Sequence, residues 1–203
     1  RGLPRQRLDC ALQPGFRVKL IASEPLIAEP SGVCWDEHGR LFVSELHGYN
    51  VDGWNEIQEL NKSGELDTQV RRIRVGKEMK QRAAAETYGV IKLLRDRNND
   101  GRMDDVIVWA KDLPPVYGIV PARGGIIAVC APDIVFLADT NGDDHPDVRE
   151  TLFTGFAVGE LERGINCPQW GVDNWIYIGA GWGGSTVTGP KLKDPVQVGH
   201  TDF

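Results

Sequence analysis

Short β-rich runs joined by tight polar turns, two Asp/Asn-rich loops opening 43 residues apart at Asp96 and Asp139, and the return of one strand order after each loop predict an all-β fold. The specific expectation is part of a β-propeller, about two and a half four-stranded antiparallel blades, with a partly helical insert. An N-terminal segment, 1–30, precedes the repeats.

The first blade is expected over 31–112. Ser31–Asp36 and Arg40–Glu45 flank the turn Asp36-Glu37-His38-Gly39, and Val90–Arg95 and Asp105–Ala110 flank the acidic loop Asp96–Asp104. Between the pairs lies the insert 47–88. Its stretch Gly76–Thr87 carries Lys77, Glu78, Met79, Lys80, Gln81 and three alanines, which predict one short helix. The second blade, 116–155, repeats the pattern: Tyr117–Pro121 and Ile126–Cys130 flank Arg123-Gly124-Gly125, and Ile134–Ala138 and Val148–Thr154 flank Asp139–Asp147. Gly32 and Gly118 hold equivalent inner-strand places. They lie 86 residues apart, and without the insert of 42 the period is 44, as a four-stranded unit requires. A third blade starts over 165–203 with Cys167–Val172, the turn Asp173-Asn174 and Trp175–Gly179. A sandwich also has short strands, but it does not demand this recurring order of turn, strand pair and acidic loop.

In a blade whose strands run outward from the axis, the loops after the second and fourth strands share one face, and the loops after the first and third share the other. The insert, 112–116 and 155–165 therefore belong to one face, and the acidic loops to the opposite one.

Composition narrows the function. A net charge of −6 argues against nucleic acid as partner, and the basic run Arg71–Arg82 reads as a solvated face. No apolar run approaches the length of a membrane span. Cys10, Cys34, Cys130 and Cys167 form no CxxC or CxxCH motif, so free thiols are expected, with one disulfide as the alternative.

The acidic loops carry the strongest local chemistry. Asp96, Asn98, Asp100 and Asp104 alternate as hard oxygen ligands do around calcium, with Gly101 at the sharp bend. The second loop offers Asp139, Asn141, Asp143 and Asp147, with Glu150 at the twelfth position but Asp144 where glycine would ease the turn. The competing reading is a pair of Asx-rich turns satisfied by their own backbone. Catalytic candidates are His47, Arg163 and Asn166. Tyr117, Arg163, Asn166 and Gln169 form a ligand-binding set at the start of the inner strands. Gly179–Gly184 reads as a loop allowing close backbone approach, and Trp170, Trp175 and Tyr177 as packing between blades.

Gly15–Pro25, Asp36–Glu45, Tyr88–Asp104, Ala131–Asp139, Val148–Phe156 and Trp170–Tyr177 together resemble the propeller domain of planctomycete-type haem-binding CxxCH proteins. These are labelled membrane-bound dehydrogenases and are distantly similar to soluble quinoprotein glucose and sorbosone dehydrogenases. The resemblance implies a periplasmic or otherwise extracytoplasmic module oxidising a carbohydrate or small alcohol, with a quinone of the PQQ type and calcium as expected cofactors. It also implies that Phe16–Ile21 is an outer strand closing the last blade, that the remaining blades of the same protein are partners, and that haem resides only in a C-terminal region outside this sequence. Where such dehydrogenases often carry a histidine ahead of the inner strand, this chain has Glu162-Arg163-Gly164. A non-catalytic propeller binding carbohydrate or protein is therefore the alternative.

Overall fold

The computed structural model describes residues 12–46, 89–158, 164–180 and 184–199. The described residues are all-β, with no helix. Pro30–Trp35 (β1), Leu41–Glu45 (β2), Gly89–Arg95 (β3) and Asp105–Leu113 (β4) form one antiparallel sheet in chain order. Gly118–Ala122 (β5), Gly125–Cys130 (β6), Asp133–Ala138 (β7) and Val148–Phe153 (β8) form the second. Asn166–Trp170 (β9) pairs with Ile176–Gly179 (β10), and Ser185–Val187 (β11) with Val196–Val198 (β12). None of the four sheets closes on itself.

Alternation decides the packing, because successive strand residues point to opposite faces. In the first sheet Phe42, Ile91, Leu93 and Trp109 face the second, where Ile119, Ile126, Ala128, Val135 and Leu137 meet them. Phe42 and Trp109 cross edge to face, ring centroids 5.1 Å apart. Each fully buried aliphatic here contributes about 1.5–3 kcal/mol. The opposite face of the second sheet buries Val129 and Ile134 against Ile165 and Val187, with Ile178 and Val198 at the margin. The sheets thus stack face to face in chain order, β1 against β5 and β5 against β9. Two glycines permit that approach: a Cβ on Gly32 would lie 3.2 Å from Gly118 Cα, and one on Gly118 would lie 2.5 Å from Pro168 Cδ.

Three expectations need correction or remain outside view. Residues 16–21 are not a strand: no partner ladder adjoins them, Phe16 and Val18 are exposed, and the segment runs on as an irregular strap. Ile21 O accepts from Met103 N, while Ala22 and Ile27 cover Leu41, Val43 and Leu94. The third round is two separate two-stranded ladders, because β11 bridges through Thr188 to Thr154, at the end of the second sheet, and pairs only with β12. The helix expected over 76–87 lies, with the whole insert 47–88, outside the described residues.

Both end faces of the stack are apolar and open. Val33 and Trp35 on β1 are 64% and 53% exposed, and at the far end Trp175 and Tyr177 are 71% and 58% exposed. Among the described residues, no helix is long and apolar enough to cross a membrane.

Candidate functional site

The starts of β1, β5 and β9 lie at one end of the stack. Ser31 Oγ donates to Val116 O at 2.6 Å, tying the start of β1 to the residue before Tyr117. Gly118 packs on Cys167 and Pro168, which brings Tyr117 beside the start of β9, where Asn166 stands. Tyr117 N donates to Val129 O, and its half-buried ring packs on Val129 and Ile165. Burial and then the nearby Cys130 thiol push the Tyr117 hydroxyl up to about 12. It is therefore a neutral donor throughout the physiological range.

Asn166 Nδ2 donates to Gly164 O at 3.3 Å, and a Cβ on Gly179 would sit 3.0 Å from Asn166 Oδ1. The glycine opposite Asn166 in the β9–β10 ladder thus leaves room for the amide. Gln169 is not part of this group: it is exposed, three residues further along β9, opposite Tyr177. His47 and Arg163 lie outside the described residues, as do positions 181–183 of the glycine-rich loop. The described histidines, His38 and His145, are in the β1–β2 turn and the second acidic loop, at the other end of the stack.

That other end holds the acidic loops, built as capped turns. Asp96 Oδ1 accepts from Asp100 N and its Oδ2 from Gly101 N, Asn98 Oδ1 accepts from Asp100 N, and Asp100 Oδ1 accepts from Arg102 N. Asp104 Oδ1 accepts from Arg97 N. The second loop repeats the scheme through Asp139, Asn141, Asp143 and Asp147. Thr140 bonds to Asp147 through side chain and backbone, holding its carboxyl below the usual range. At Asp139 partial desolvation raises the carboxyl, but amide donors from Gly142 and Asp144 outweigh it and leave it lowered. Glu150 is not with this loop: it stands on β8 opposite Phe136. Among the described residues, no three His, Cys, Asp or Glu side chains gather as a metal-binding group.

The sequence did not disclose three cationic contacts here. Lys19 Nζ donates to Asp100 O, and Arg95 Nη2 pairs with Asp144 Oδ2, linking the two acidic loops. Lys92 Nζ pairs with Glu45 Oε1 at 2.7 Å beneath the strap, where Glu45 also accepts from Ala28 N and Lys92 donates to Leu26 O. The only local hint was a lysine inside an otherwise apolar strand. Cys34, Cys130 and Cys167 are free thiols.

A family model described as a domain of unknown function (DUF7133) matches residues 6–203. The chain belongs to the DUF7133 family. No curated protein and no solved structure matches it. The features above are thus those of a DUF7133 domain: two ordered four-stranded sheets, Tyr117 and Asn166 on either side of the β5–β9 contact, and hydrogen-bonded acidic turns at the far end.

Proposed function

We propose that this DUF7133 domain is part of a β-propeller in an extracytoplasmic sugar or alcohol dehydrogenase, with its ligand held at the starts of the inner strands. What supports the reading is the chain order of the stack: β1 packs on β5 and β5 on β9, and Tyr117 and Asn166 flank the close approach of Gly118 to Cys167 and Pro168. Further blades of the same protein would cover Val33 and Trp35 at one end face and Trp175 and Tyr177 at the other. Tyr117 and Asn166 supply neutral hydrogen-bond partners, suited to a polyol or to the carbonyls of a quinone. A bound quinone would accept the two electrons removed from the alcohol and deliver them to a c-type haem elsewhere in the protein. Calcium at the acidic loops belongs to the same reading, with Asp, Asn and Asp oxygens as a hard donor set.

A non-catalytic carbohydrate-binding propeller is the second reading. It is favoured by the cluster's chemistry, since a protonated phenol and an amide bind hydroxyl groups but transfer no proton at neutral pH. Dye-linked oxidation of a sugar and alcohol panel by the full-length protein, with quinone and calcium added, separates the two. Oxidation that Asn166→Ala diminishes supports the dehydrogenase. Retained glycan binding with no oxidation, lost in Asn166→Ala, overturns it in favour of the binding module.

A further inference from the structure

The interface between the first two sheets is filled by Phe42, Leu93 and Trp109, but the next interface is filled only in part, around Val129, Ile134, Ile165 and Val187. Where the β9–β10 ladder and the β11–β12 hairpin part company, a cavity of about 230 Å³ opens against the second sheet. Its floor is Ile127, Phe136 and Leu152, and its far wall is Trp170 and Ile176. Trp170 Nε1 donates to Pro121 O at 2.7 Å, which fixes the indole as a rigid wall. The lining is almost wholly apolar, whereas the mouth carries Arg123 and Lys191 against one carboxylate, Glu150.

Arg123 reaches that mouth from an unusual backbone position. It occupies the first place of the two-residue turn between β5 and β6, with φ 53° at Arg123 and 74° at Gly124. Such a turn wants Asn, Asp or Gly at its first place. A long cationic side chain is held there against that preference, and strain of this kind marks sites whose side chain matters.

We infer that this cavity is a binding site for a small aromatic or other planar apolar molecule bearing one anionic group. An apolar cavity of about 150 Å³ takes benzene, so this larger volume suits a two-ring body. The planar body lies between Trp170 and Phe136, and its anionic group meets Arg123 and Lys191 at the mouth. The site is distinct from Tyr117 and Asn166, and it stands or falls independently of the dehydrogenase reading.

The test uses 2-naphthoate as probe and 2-naphthylmethanol as its neutral counterpart, each titrated calorimetrically into the chain. One site per chain is expected, with the carboxylate about fivefold tighter, the most that a partly exposed charge pair supplies. Arg123→Asn suits the turn better, so the fold is retained; it should weaken the preference, Arg123→Asn with Lys191→Gln should abolish it, and both should leave the alcohol's affinity unchanged. In the wild-type protein, NMR shifts on binding should centre on Trp170 and Phe136. No saturable binding, equal affinity for both probes, or shifts centred elsewhere would overturn the site.

Discussion

Replacing Lys92 with methionine removes one half of an ion pair buried beneath the N-terminal strap. Glu45 is fully buried, and its Oε1 receives both Lys92 Nζ and Ala28 N, each at 2.7 Å. Methionine keeps the packing volume but removes the Lys92 cation from the carboxylate and the Lys92 donor from Leu26 O. Breaking a buried pair from one side costs about 3–5 kcal/mol, a large share of the roughly 5–15 kcal/mol that holds a typical domain folded. Urea unfolding followed by tryptophan fluorescence is the assay; with m about 1.5–2 kcal/mol/M, the midpoint should fall by about 2 M. Amide exchange at Ala28 should accelerate as the strap loosens. Glu45→Leu combined with Lys92→Met should recover only part of the loss, because the Ala28 amide still lacks an acceptor. A Lys92→Met protein within about 0.5 kcal/mol of wild type would refute a buried, stabilising pair.

Two further outcomes follow from the inner strands and the acidic turns. Gly118→Ala places a Cβ 2.5 Å from Pro168 Cδ, so it should destabilise the chain by about 1–3 kcal/mol, and a thermal midpoint at or above wild type would contradict the packing of β5 on β9. For Asp147, whose folded carboxyl is held low by Thr140, the turn's contribution is present above the unfolded carboxyl value of about 3.9 and is lost as pH falls through the lower folded one. Thr140→Ala should therefore move the Asp147 titration seen by carboxyl-carbon NMR back upward, and an unmoved curve would remove the assigned cause.

Strand pairs and turns were legible because they depend on local chemistry: short β-rich apolar runs in β2 and β6, Asp36 capping its own turn, and Asx side chains capping the acidic loops. Equivalence of Gly32 and Gly118 was legible from spacing alone, and the structure gives its reason in the close approach of β1 and β5. Contacts distant in sequence were not legible. The run 16–21 alternates like a strand, but a strand needs a partner edge, and the nearest one donates only a single bond, from Met103 N to Ile21 O. Division of the third round into two ladders depends on Thr154 meeting Thr188, which no local pattern announces. Gln169, on the same short strand as Asn166, is displaced from it by three residues of rise, about 10 Å.

The propeller reading proposed above holds that these sheets are consecutive blades around one axis and that further blades cover both end faces. A structure of the full-length protein containing this chain tests it most directly. The account predicts further four-stranded sheets packed on both ends, with Val33 and Trp35 buried on one side, Trp175 and Tyr177 buried on the other, and β1, β5 and β9 lining a common channel. A structure in which these end faces remain in solvent, or in which the two four-stranded sheets pair with each other as a closed sandwich, would contradict it.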